Sequence, residues 1–296
     1  SSDLGTTGTV SKMALILKEK EDGSVKRRII LDMRRSFGNS RSKVDERIVL
    51  PRLSDVVTML QDIWRRRGGS KAKRRDTNTD DFEFYLIDLS DAFCHFGVLK
   101  SELRHCVTPD EHDQDALVWC AMLFGYRAAP LLMGRLSSAL GRLLQSLVCP
   151  EMTQLQVYVD DILVAALGDR VAREAQLAML LYTAAAFGVQ ISLKKGERGR
   201  RVTWIGCTIE VPVVEMEEPE VVVLGISKHM IEQVVTTLRS WTTGGMGSLK
   251  ELRSTTGRLS WVGGVLPRLR WTVNVLYATL KEVDKDQEDG TEDRRA

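Results

Sequence analysis

Two apolar runs, Leu155–Val159 and Ile162–Ala166, have only Asp160-Asp161 between them. Runs of this length bounded by turn residues read as strands buried in a core, and a two-residue gap makes them an antiparallel hairpin. The hairpin carries two carboxylates at its tip. A third apolar run, Phe84-Tyr85-Leu86-Ile87, leads directly into Asp88. Acids at the ends of otherwise apolar strands are costly unless something cationic sits among them. The chain must therefore fold around a sheet that gathers carboxylates at one end.

Composition places few other demands. The 296 residues are 43% hydrophobic and 28% charged, enough for two or three packed subdomains. No apolar run approaches the roughly 20 residues needed to cross a bilayer, so no membrane partner is expected. The N-terminal Ser1-Ser2-Asp3-Leu4-Gly5 has neither a basic nor an apolar signal region, and the abrupt start without Met suggests a piece of a polyprotein. Cys94, Cys106, Cys120, Cys149 and Cys207 are scattered and form no CxxC pair, which points to reduced thiols and an intracellular setting. Cys106 with His105 and His112 makes a poor zinc site, lacking four well-spaced ligands. Net charge is only +2, but Arg65 to Arg75 contain no acid, a block suited to phosphate backbones or equally to a solvated loop.

Along the chain, Lys12–Leu17 and Arg27–Asp32 read as strands joined at Glu21-Asp22-Gly23. Ser54 reads as the N-cap of a helix to about Trp64, with Val56, Val57, Leu60 and Ile63 at helical spacing. Leu117–Leu123 is a further apolar segment. Pro130 opens a helix striped by Leu132, Leu136, Leu140, Leu143 and Leu147. A helix over 170–187 stops at Gly188, and Val202–Ile205 with Thr208–Val211 form a hairpin around Gly206. Helices follow over 227–241, 248–263 and 268–283, the second opened by the capping box Ser248-Leu249-Lys250-Glu251. The order is mixed α/β and then all-helical, an α+β fold.

The motifs resemble those of reverse transcriptases of LTR-type retrotransposons. Tyr158-Val159-Asp160-Asp161 is similar to the YxDD box of that family, and Asp88-Leu89-Ser90-Asp91-Ala92-Phe93 to its first palm motif. Leu123-Phe124-Gly125-Tyr126-Arg127-Ala128-Ala129-Pro130 resembles its PFGL-x-x-AP motif. Order and spacing agree from about Leu15 to Leu280. Two departures stand out: Leu123 replaces a proline, and Met133-Gly134 stand where many relatives have Phe-Gln.

The resemblance implies a right-hand polymerase fold. Its fingers would span 1–81 with a basic loop at 65–81, its palm with an antiparallel sheet 82–215, and its helical thumb 216–284, leaving a disordered charged tail at 285–296. It implies an RNA-directed DNA polymerase that takes an RNA template, a DNA or RNA primer and dNTPs. Two Mg²⁺ ions, with Mn²⁺ as a substitute, would be held by Asp88, Asp160 and Asp161, with Asp91 outside the set. Lys195 would protonate the leaving pyrophosphate. Phe93 would sit under the sugar as a steric gate, the alternative being a core position. Arg28 and Lys20 would grip the triphosphate, with Lys18 or Lys26 as alternatives to Lys20, and Asn39 completing the pattern. Phe124 and Gly125 would line the dNTP pocket. Tyr158, Trp204 and Gly206 would hold the primer–template, although Trp204 also suits a hairpin core. Arg253, Arg258, Arg268 and Arg270 are candidate phosphate contacts or solvated charges. A decayed or domesticated nucleic-acid-binding remnant is the alternative function. Oligomeric state is not legible.

Overall fold

The computed structural model describes residues 10–19, 23, 25–66, 82–110, 115–212, 221–244 and 247–292. Strands β1 (Met13–Glu19) and β2 (Val25–Leu31) pair antiparallel from Met13↔Leu31 to Glu19↔Val25, the expected hairpin. A single helical turn, α1 (Gly38–Arg41), follows. Helix α2 (Leu53–Arg66) begins one residue before Ser54. Ser54 thus lies inside the first turn rather than at the position before it. The expected apolar spacing holds, with Val56, Leu60 and Ile63 fully buried.

Strand β3 (Phe82–Asp88) precedes the small ribbon of β4 (Val107–Pro109) and β5 (Ala116–Val118). Only the first part of the Leu117–Leu123 segment is therefore strand. Helix α3 (Ala129–Leu147), with proline in its first turn, is followed by the hairpin of β6 (Thr153–Tyr158) and β7 (Asp161–Leu167). Helix α4 (Arg170–Ala186) is capped by the Asp169 carboxylate, which accepts from Ala172 N–H, and the chain leaves it through Gly188 at φ 73°. Two residues, β8 (Arg198–Gly199), close a four-stranded antiparallel sheet in the order β6-β7-β3-β8.

The sheet has two distinct faces because side chains alternate along a strand. Tyr85, Ile87, Ile162, Val164 and Ala166 pack with Met133 and Leu144 of α3 and Leu180 of α4. Asp88 and Asp161 are cross-strand partners of opposite parity and so lie on the other face.

Helix α3 meets this core with a face that differs from the expected leucine stripe. Met133, Gly134, Ser137, Gly141 and Leu144 are buried, while Leu132, Leu136 and Leu147 are exposed. The small residues decide the orientation. A Cβ on Gly141 would come within 2.6 Å of Val157 Cγ2, and one on Gly134 within 2.8 Å of Ile48 Cδ1. Close approach of helix to sheet outweighs the leucines, which any rotation would leave partly wet. Gly134 thus leaves room for the Ile48 side chain.

By its contacts the chain forms two compact units, Ser1–Arg52 with Thr58–Gly199, and Leu53–Val57 with Arg200–Ala296. The second holds β9 (Arg201–Trp204), β10 (Cys207–Glu210) and β11 (Val223–Ile226) in the antiparallel order β11-β10-β9. Ile205 and Gly206 make the two-residue turn with positive φ, 45° and 81°, the geometry that matches strand twist in a tight hairpin. Helices α5 (Lys228–Thr242), α6 (Leu249–Val265) and α7 (Arg270–Glu292) complete it. Val234, Leu259 and Val273, one from each, form a common core. The Ser248–Glu251 capping box is present with both reciprocal hydrogen bonds. Helix α7 continues to Glu292, through most of the segment expected to be a disordered tail.

Candidate active site

The carboxylates converge at one end of the four-stranded sheet. Asp161 pairs with Tyr158 on β6 and with Asp88 on β3, so these three residues stand side by side on one face. This corrects the register expected for the hairpin. Its two turn residues are Val159 and Asp160, and Asp161 is already the first residue of β7. The turn forces Val159 to φ 57°, a left-handed conformation that a β-branched residue adopts only under strain of about 1–3 kcal/mol. The Asp160 carbonyl accepts from Leu89 N–H at 3.0 Å, which ties the turn to the end of β3.

Acids placed this closely disturb one another. Burial, reinforced by the charges of Asp160 and Asp88 and opposed by Lys195, pushes the Asp161 carboxyl up to about 6. Lys195 is the cation at the cluster: its Nζ donates to Asp88 Oδ2 at 2.5 Å across 107 positions of sequence. It lies at the end of a 3₁₀ turn, Leu193–Lys195, which is anchored where Ser192 N–H donates to the Asp88 carbonyl at 2.8 Å.

A second set of candidates is brought together beside Phe93. Asp91 takes φ 46° and turns the chain into Ala92–His95, placing Phe93 partly buried against the core. Its ring centroid is 4.8 Å from that of Phe124, and the Arg28 guanidinium lies 5.5 Å over the other ring. Strand β2 is stitched to this loop by Leu31 N–H donating to the Phe124 carbonyl at 2.9 Å. Asn39 closes the stitch: its Nδ2 donates to the Gly125 carbonyl and its Oδ1 accepts from Arg127 N–H, both at 2.8 Å. Arg28, Phe93, Phe124 and Gly125 thus form one contiguous group. Lys20 lies outside the described residues, as do most of the basic block 65–75 and His112.

Trp204 is 1% exposed, a packing residue of the second unit, whereas Gly206 at the hairpin turn is exposed. Arg270 donates Nε to the Gly263 carbonyl at 3.0 Å, a local helix-end contact. All five cysteines are free thiols. Among the described residues no three His, Cys, Asp or Glu side chains gather tightly enough to hold a metal alone.

One charged group belongs to none of the sequence motifs. Glu83, the second residue of β3, receives Arg198 Nε and Nη2 at 2.8 and 3.0 Å and the Tyr85 hydroxyl at 2.8 Å. Arg173, 3% exposed, stands 3.6 Å away. The available signal was an acid flanked by Phe82 and Phe84 at the start of an apolar strand.

Residues 29–209, more than half of the chain, match the family described as reverse transcriptase (RNA-dependent DNA polymerase). Among solved structures, the foamy viral protease-reverse transcriptase dRH in complex with ds DNA is 18% identical with a TM-score of 0.57, covering 93% of this chain and 40% of that one. The foamy viral protease-reverse transcriptase in complex with RNA/DNA hybrid is 16% identical with a TM-score of 0.53, covering 92% and 31%. The chain therefore spans less than half the length of either. No curated protein sequence matches it. These likenesses carry the fold: an α+β polymerase fold, as the sequence led one to expect.

Proposed function

The chain belongs to the reverse transcriptase family, and from that premise we propose that it is the RNA-directed DNA polymerase of an LTR-type retroelement. It would add dNTPs to a primer 3′-hydroxyl by two-metal nucleotidyl transfer. The observation that carries this reading is the cross-strand pair Asp88↔Asp161 with Asp160 in the adjoining turn.

The donor set fits hard divalent cations. Like charges directly opposite on neighbouring strands are destabilising by themselves, and burial, with the charges of Asp160 and Asp88 added to it, raises the affinity of Asp161 for a proton. A three-carboxylate cage is not required, because Mg²⁺ is usually held by one or two carboxylates plus substrate phosphates. Asp88 and Asp161, with Asp160, are the residues that would hold such ions. When bound there, they supply Lewis-acid stabilisation of the attacking and leaving oxygens.

The chain's own residues do the rest. The hairpin and β3 hold the carboxylates in register. Arg28 offers a planar fork of donors to the triphosphate. Phe93, buttressed by Phe124, puts a rigid ring where a 2′-hydroxyl would have to fit. Lys195, half-exposed, holds a proton that it can pass to the leaving pyrophosphate.

Two results test the reading. Asp160→Asn should lower primer extension on an RNA template by about a thousandfold or more, with no loss of thermal stability. If the wild-type chain binds template–primer and dNTP yet extends nothing, a non-enzymatic nucleic-acid-binding role replaces this one. Phe93→Ala should reduce the preference for dNTP over rNTP by about tenfold or more, since a gate acts as a clash. An unchanged preference would leave Phe93 a core residue only.

A further inference from the structure

The segment bearing Lys195 is suspended, and what suspends it is specific. Between Ile191 and Arg198 it crosses a cavity of about 200 Å³ whose walls include Tyr85, Ile87, Leu177, Leu181 and Leu193. Leu193 itself is 76% exposed. The upstream end is tied at Asp88 by the Ser192 N–H bond. Downstream, Leu86 N–H donates to the Glu197 carbonyl at 2.8 Å. The pairing then lasts only two residues, Tyr85↔Arg198 and Phe84↔Gly199, too short a strand to resist fraying on its own.

The side-chain clamp supplies what the short strand lacks. Arg198 grips Glu83 with two parallel donors and lies 5.5 Å over the Tyr85 ring. Such fork-to-fork pairing constrains direction as well as distance. Glu83 is itself confined, being 13% exposed in its side chain and held by Tyr85, with the Arg173 guanidinium beside it. Burial alone would raise its carboxyl affinity for protons, but the bonds from Arg198 and Tyr85 and the charges of both arginines hold it below the usual range.

We propose that the Glu83–Arg198 pair is a positioning device for Lys195, fixing the downstream end of its segment so that the ammonium stays at the carboxylate cluster. Neither residue touches the reacting groups; both act through Lys195. The inference rests on the reading of Lys195 as donor to the leaving group.

Single-turnover primer extension with an RNA template, a DNA primer, dNTP and Mg²⁺ tests it on the full chain. Arg198→Ala should lower kcat about tenfold while KM for dNTP stays within about twofold. In a Lys195→Ala background the same change should have less than about a twofold effect, because the object of the positioning is gone. Arg198→Lys should recover only part of the loss, a point charge replacing a fork. Arg173 remains beside Glu83 in these variants and Arg198 is 53% exposed, so the fold should survive; if Arg198→Ala does not fold, Arg198→Lys in both backgrounds carries the test. Loss of the same factor in both backgrounds, or unchanged kcat in Arg198→Ala beside a slow Lys195→Ala, overturns the positioning role. Unchanged kcat in Lys195→Ala overturns instead the reading of Lys195 beneath it.

Discussion

Replacing Asp161 by Asn is expected to abolish primer extension and yet to raise the melting temperature of the metal-free protein at neutral pH. The two effects share one cause. Burial and the neighbouring acids Asp160 and Asp88 raise the Asp161 carboxyl from 3.8 to about 6, so the folded chain disfavours its charged form. In the window between those values the native state binds more protons than the unfolded state, and stability falls as pH rises. Above about pH 6 the full penalty is present. A shift of this size corresponds to about 3 kcal/mol unscreened, and contact with water reduces the usable part to about 1–2 kcal/mol. Asn removes the charge and keeps the shape, so a rise of about 2–5 °C at pH 7.5 is expected, shrinking towards nothing near pH 4. Extension should fall by about a thousandfold or more. A melt that is lower at pH 7.5 in the variant would contradict the electrostatic account. Added Mg²⁺ should stabilise the wild type more than the variant, by mass action on the native state.

Gly125→Ala should be the most damaging single-methyl change in the first unit. Gly125 sits at φ 116°, and a Cβ there would lie 2.0 Å from the Leu31 carbonyl oxygen. Backbone cannot yield as a side-chain end can, because Leu31 N–H is simultaneously bonded to the Phe124 carbonyl. The loop must part from β2. That costs about 1–3 kcal/mol in backbone strain, together with the Leu31–Phe124 bond and the Asn39 contacts at about 1 kcal/mol each. A total of at least about 3 kcal/mol is expected by denaturant unfolding. The functional consequence is local: Phe124 loses its place between Arg28 and Phe93, so KM for dNTP should rise about tenfold or more. If KM is unchanged in a destabilised variant, Gly125 serves the fold alone.

Much of this was legible in the residues. Apolar runs ending in acids announced strands carrying Asp88 and Asp160-Asp161, because desolvating a carboxylate is too costly to be accidental. Caps at Ser248 and Gly188 announced helix ends, because unpaired backbone groups need local partners. Both signals are short-range and are written in neighbouring residues. The register of the aspartate-bearing hairpin was off by one, since the sequence shows which residues lie between two apolar runs but not which of them the ladder recruits. Helix α3 carries apolar residues around much of its circumference, and its leucine stripe promised the wrong face.

What only the tertiary structure decided has a common physical origin. The buried face of α3 was chosen by how closely Gly141 lets it approach β6, a steric match between elements that periodicity cannot encode. Trp204 became a core residue because its strand buries that side. Lys195 met Asp88, and Arg198 met Glu83, across more than a hundred positions, where no spacing rule reaches. The sequence by itself determined which groups could do chemistry at the three aspartates. Their partners, and the geometry that gives them a task, came from packing, because long-range contacts are chosen by shape and charge together once the chain has folded.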